Sequence, residues 1–104
     1  MIIVTTPQVE GHAITQVHGL ASGSTIRTKV IFKDIGAGLK SMVGGELGSY
    51  TKMMQESRAQ ALARLEEDAA RIGANAVVNM RFATSMVSQG AAEILAYGTA
   101  VTVE

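Results

Sequence analysis

One stretch, Gly44 to Val87, constrains the fold of this chain more than any other: a long Ala- and Glu-rich segment ends on Gly73 and turns at once into a β-prone run. Within the segment, Tyr50, Met54, Ala61, Leu65, Ala69 and Ile72 recur at spacings of three, four and seven. That is the stripe of an amphipathic helix. Ser49 stands where its hydroxyl can cap the first turn, and Gly73 where a left-handed residue closes the last one. Beyond Gly73 the period changes, and Val78, Met80, Phe82, Thr84 and Met86 alternate with Val77, Asn79, Arg81, Ala83 and Ser85. The alternation predicts a strand with one apolar face. A helix that turns directly into a strand folds back on itself, so the rest of the chain must pack around that unit.

Read from the start, Ile2 to Thr5 is a short β-prone run stopped by Pro7, as an edge strand would be. Gln8 to Gly11 is predicted to turn. Ala13 to Ala21 is a second strand in which Ile14, Val17 and Leu20 alternate imperfectly, with Gly19 marking a bulge or a close approach. Ser22-Gly23-Ser24 reads as a turn. The next segment, Ile26 to Val43, fits both periods: Ile26, Val30, Ile35 and Leu39 suit a helix, and Ile26, Thr28, Val30 and Phe32 suit a strand. A helix from about Arg27 to Met42 is preferred, although Gly36 and Gly38 weaken it by about 1 kcal/mol each. Ser88-Gln89-Gly90 is a hairpin turn into a last strand from about Ala92 to Val103. That strand carries Leu95, Tyr97, Thr99, Val101 and Val103 on one face and Ile94, Ala96, Gly98, Ala100 and Thr102 on the other. The second face is nearly flat, and Ala61 and Ala69 of the helix are expected to settle on it. The sum is an α+β domain, a small and mainly antiparallel sheet covered by helices.

Composition narrows the partners. A chain of 104 residues is expected to make one domain. Nine Lys and Arg balance nine Asp and Glu, which gives no electrostatic footprint for nucleic acid or for an anionic membrane. There is no cysteine, which removes disulfides, thiolate ligands and thiol catalysis. Met1-Ile2-Ile3-Val4 lacks the form of a signal peptide, and no apolar run approaches a membrane span, so a cytoplasmic protein is expected. Charged residues make only 17 % of the chain, against about 25 % in an ordinary soluble domain. A small domain has much surface to cover, so the shortage suggests that part of it is buried against further copies.

Several segments together resemble the YbjQ-like family: Gly11, Asp34-Ile35-Gly36-Ala37-Gly38-Leu39-Lys40, Val43-Gly44-Gly45-Glu46 leading to Ser49-Tyr50, Arg58-Ala59, Gly73-Ala74-Asn75-Ala76-Val77-Val78 and Tyr97-Gly98-Thr99-Ala100-Val101. The resemblance covers nearly the whole chain. It implies a dodecin-like α+β subunit in a homo-oligomeric ring, typically a pentamer, and a catalogue description as a heavy-metal-binding domain with no established reaction. Where many members carry an acidic strand after Ala-Val-Val, this chain has Asn79, Met80, Arg81 and Phe82, so a cation site built from those acids would be missing.

Chemically able residues are few. His12 and His18 are the only histidines, six apart on one predicted strand and so about 20 Å from each other. They cannot share an ion within one subunit, but a ring could gather several His18 side chains around an axis. His18 is therefore the candidate metal ligand, for Zn, Ni or Cu, against an ordinary hydrogen-bonded histidine. Gly36-Ala37-Gly38-Leu39-Lys40-Ser41 lacks the spacing of a phosphate loop, and Gly44-Gly45-Glu46-Leu47-Gly48 suits a tight connection better than an anion cradle. Glu66, Glu67 and Asp68 fan around the helix, with Glu67 placed to pair with Arg71. Glu93 stands alone near a turn, and a triad of Ser22, His18 and Asp34 can be written without any particular support. Met53, Met54, Met80 and Met86 suit core filling better than soft-metal binding. No enzyme activity and no particular cofactor are expected. The expectation is an oligomeric binding protein of unknown ligand, or a ring-shaped scaffold without small-molecule chemistry.

Overall fold

The computed structural model describes residues 1–27, 48–88 and 91–104. Four strands and one long helix make up this part: β1 (Ile2–Ile3), β2 (Ile14–Arg27), α1 (Gly48–Arg71), β3 (Ala76–Ser88) and β4 (Ala91–Val103). The strands form one mixed sheet in the order β1-β3-β4-β2. β1 runs parallel to β3 at one edge, while β3–β4 and β4–β2 are antiparallel. The α+β expectation holds in this form, with one helix over the sheet among the described residues. The predicted helix from Arg27 to Met42 lies outside them except for Arg27, which is the last residue of a strand.

α1 covers β2 and β4 and barely reaches β3. Its predicted stripe is its buried face, since Ala61, Leu65 and Ala69 are fully buried, with Met54 and Ile72 packed at the margin. The flat face of β4 receives it, with Ile94, Ala96 and Ala100 in the same cluster. α1 begins at Gly48, so Ser49 lies in the first turn rather than before it. Its end is as predicted: Gly73 has φ +93°, its amide donates to Ala70, and the Ala74 amide donates to Ala69. This is the Schellman closure, with Ala69 and Ala74 supplying its apolar contact.

The closest approach of helix to sheet is at a residue expected to turn. Ser22-Gly23-Ser24 is not a turn but the middle of β2. A β-carbon on Gly23 would lie 2.3 Å from the Leu65 amide nitrogen and 2.5 Å from the Ala61 carbonyl oxygen. Glycine is required here for space, because the backbone of α1 rests on the backbone of β2. Gly98 has a different neighbour: its missing β-carbon would meet Val77 Cγ1 at 2.6 Å, not the helix.

β3 is bulged where the alternation seemed regular. Val78 faces Thr99 and Arg81 faces Tyr97, so Asn79 and Met80 stand opposite one residue. Asn79 absorbs the extra length at φ +53°, a conformation that asparagine tolerates better than most residues. The bulge divides the predicted apolar face. Val77 and Met80 pack under α1, while Val78 joins Val9, Ala76, Val101 and Val103 on the opposite face, beneath the segment after β1. The amides of Asn79 and Met80 donate to Thr6 and Val4 of that segment.

Candidate functional site

His18 owes its position to two irregularities in β2. Against β4, the register slips between Ile14 and Gln16 and again between Val17 and Gly19, and Gly19 takes φ +113°. Each slip adds a residue, so Ile14, Val17 and Leu20 fall opposite Val103, Val101 and Thr99 on the face away from α1. The spacing of three that looked like poor alternation is therefore a regular face with two extra residues. His18 is turned the other way. Its Nε2 shares a 2.7 Å hydrogen bond with Thr102 Oγ1. Its Cε1 would lie 3.7 Å from a β-carbon on Gly73, which places the half-buried ring beside the end of α1. In the tautomer that donates from Nε2 to Thr102, the free lone pair belongs to Nδ1. Such an arrangement fixes the orientation of an imidazole, as the outer partners of metal-bound histidines do.

His12 is not on that strand. It precedes β2, is exposed, and donates its amide to the Val9 carbonyl across a turn. Among the described residues, no three His, Cys, Asp or Glu side chains stand together as a metal site would require. The described residues thus supply one oriented imidazole and no cluster of three metal-ligating side chains. Asp34 and the Gly36–Ser41 and Gly44–Leu47 segments lie outside the described residues. Glu93 is half-buried in β4 between Ile26 and Ser85 of the flanking strands. Met80 is core filler, as expected, and Met86 is exposed.

The acids of α1 do not all fan into solvent. Asp68, not Glu67, is the partner of Arg71, through Oδ1 at 2.5 Å, and its Oδ2 accepts the Ser22 amide at 3.0 Å. The Arg71 hydrogen bond, and then that of Ser22, hold the Asp68 carboxyl below the usual carboxylate range. Arg64 donates to the Ser24 carbonyl at 2.5 Å. Together these helix side chains tie down backbone groups of β2, which is an edge strand among the described residues. The shallow hollow lined by Ser22, Arg64, Glu67, Asp68 and Arg71 is accordingly a clamp. Deeper along the seam, Thr25 Oγ1 donates to the Ser57 carbonyl and Arg27 Nε donates to Ser57 Oγ. At the far end the Asn75 side chain donates to the Val103 carbonyl at 2.9 Å and accepts its amide at 2.8 Å. Thr102, Asp68 and Asn75 were not legible as site residues, because their partners are distant in sequence and their spacing follows no motif.

These features define a small α+β domain in which one helix is keyed to half of a mixed sheet and the one oriented imidazole sits at the seam. The chain belongs to the YbjQ family, whose model matches residues 1–104 and is described as "Putative heavy-metal-binding". It is 58 % identical over 103 residues to a UPF0145 protein of Methanosarcina acetivorans, covering 99 % of this chain and 97 % of that one. A UPF0145 protein of Clostridioides difficile is 56 % identical over all of this chain and 93 % of its own length. A crystal structure of a DUF74-family protein from Pediococcus pentosaceus has the same fold, with a TM-score of 0.62 and 18 % identity over 100 % of this chain and 98 % of that one. No described helix is long and apolar enough to cross a membrane.

Proposed function

We propose that this chain is a dodecin-like subunit of a closed homo-oligomeric ring, a pentamer by family resemblance, that binds a ligand in the cytoplasm and catalyses no reaction. Balanced charge argues against nucleic acid and anionic membranes as partners. A heavy-metal ion is the ligand that the family's description suggests. The observation that carries this reading is the hydrogen bond between His18 and Thr102, which orients one ring nitrogen for donation while a lone imidazole cannot hold an ion tightly. Symmetry would supply the remaining donors, because every subunit repeats the same imidazole.

The second reading is a scaffold without small-molecule chemistry, favoured by the absence of cysteine and the presence of only two histidines. Calorimetry separates the two readings when Zn, Ni and Cu are titrated into the tag-free protein and into His18→Ala. Metal heat that is lost in every subunit of an intact His18→Ala oligomer supports the first. Equal heats from both proteins remove His18, and no heat from either leaves the scaffold.

A further inference from the structure

Among the described residues β2 is an edge of the sheet, and it is 14 residues long. Long edge strands usually carry lysine, proline or a bulge that keeps the strands of other molecules from adding to them. β2 has no proline, and its last residue, Arg27, is its only Asp, Glu, Lys or Arg. Its two register slips lie before Gly19, so the stretch Ser22-Gly23-Ser24 is regular, small and flat. By composition it is the part of the edge most open to strand addition.

What this stretch has instead is the helix. The Ser22 amide donates to Asp68 Oδ2 at 3.0 Å, and Arg64 Nη1 donates to the Ser24 carbonyl at 2.5 Å. Ser22 and Ser24 are two residues apart, so their backbone groups share one edge, and the bond to Asp68 marks it as the edge away from β4. α1 thereby holds a donor and an acceptor that an added strand would need. Asp68 is itself fixed through its other carboxylate oxygen by Arg71.

The two held groups are complementary to each other. When two copies of β2 meet antiparallel about Gly23, Ser22 of each faces Ser24 of the other. Opposite residues in such a pair exchange both of their N–H···O bonds, so the amide and carbonyl that α1 covers are the ones two copies would trade. Zero net charge leaves no long-range repulsion to prevent this. The chain uses a side chain in place of a strand elsewhere too. Asn75 pairs both backbone groups of Val103 in β4 at the point just before β3 begins at Ala76.

We infer that Asp68 and Arg64 guard the edge of β2: they occupy the hydrogen-bonding positions through which the β2 of a second copy would add to the sheet, and so keep two sheets from joining at Ser22–Ser24. The guard is made of bonds between described residues and does not rest on the ring reading. It states which contact any assembly of this chain leaves unused.

The double variant Arg64→Ala, Asp68→Ala tests it by native mass spectrometry at micromolar concentration, with circular dichroism to verify the fold. Both side chains bond from the helix surface, so the fold should survive their loss. The double variant should give species larger than the wild-type one. Adding Ser22→Pro to it should return the wild-type mass, because proline removes the traded amide, and that amide makes no bond to β4. An unchanged mass in the folded double variant would overturn the guard. Growth that persists with Ser22→Pro would do so as well, since the copies would then be joining through another surface. Amide hydrogen exchange provides a check on the wild type itself: Ser22 should exchange slowly, and Asp68→Ala should speed it at least about tenfold. A Ser22 amide that exchanges freely in the wild type would overturn the guard without any variant.

Discussion

β2 and β4 present two apolar faces built on different principles. Under α1 the side chains are small, with Ala21, Gly23, Ala96 and Ala100 meeting Ala61, Leu65 and Ala69. On the opposite face of β2 they are large, and Val17, Leu20 and Ile26 stand exposed. Small residues let backbones approach closely and leave the helix as the main occupant of that face. Large ones carry far more apolar area and hold it in solvent, where each square ångström costs about 25 cal/mol. Among the described residues the chain trims its side chains where helix meets sheet and keeps them large on the face of β2 that the helix does not cover.

That contrast can be broken by substitution. Gly23→Ala places a methyl group 2.3 Å from the Leu65 backbone nitrogen and should force α1 outward. The expected loss is about 1–3 kcal/mol in urea denaturation. Leu20→Ala, on the open face, should change the stability of the dissociated subunit by less than about 0.5 kcal/mol. Equal effects at the two positions would mean that the faces do not differ as described.

A smaller effect should follow from the clamp at the seam. The folded state lowers the Asp68 pKa, so this carboxylate stabilises the fold fully above the ordinary aspartate range, near pH 3.9, and ceases to do so as pH falls through the lowered value. Asp68→Asn should cost less than about 1 kcal/mol at neutral pH and make acid unfolding less steep. A wild-type acid profile in Asp68→Asn would show that Arg71 and Ser22 do not lower that carboxyl in solution.

Much of the helix and of β4 was legible in the sequence, because the rules involved are local. A stripe at spacings of three, four and seven, a glycine closing the helix, and an Ala and Gly row along β4 each state their own burial. β2 and β3 were less legible, because bulges add residues without changing composition. Ile14, Val17 and Leu20 looked irregular until two register slips placed them on one face. Val78 and Met80 looked alike until Asn79 separated them. Gly23 was misread as a turn because Ser-Gly-Ser has turn composition, whereas its reason is the helix backbone above it. At the candidate site, His18 could be found by its chemistry alone, but its hydrogen bond to Thr102 spans 84 positions of sequence and leaves no local trace.

Self-association is the central claim, and native mass spectrometry of the unmodified wild type at micromolar concentration addresses it most directly. The account predicts a single closed homo-oligomer, a pentamer by family resemblance, with little free subunit. A spectrum of monomer alone would contradict it, and the exposed Val17, Leu20 and Met86 would then be open surface.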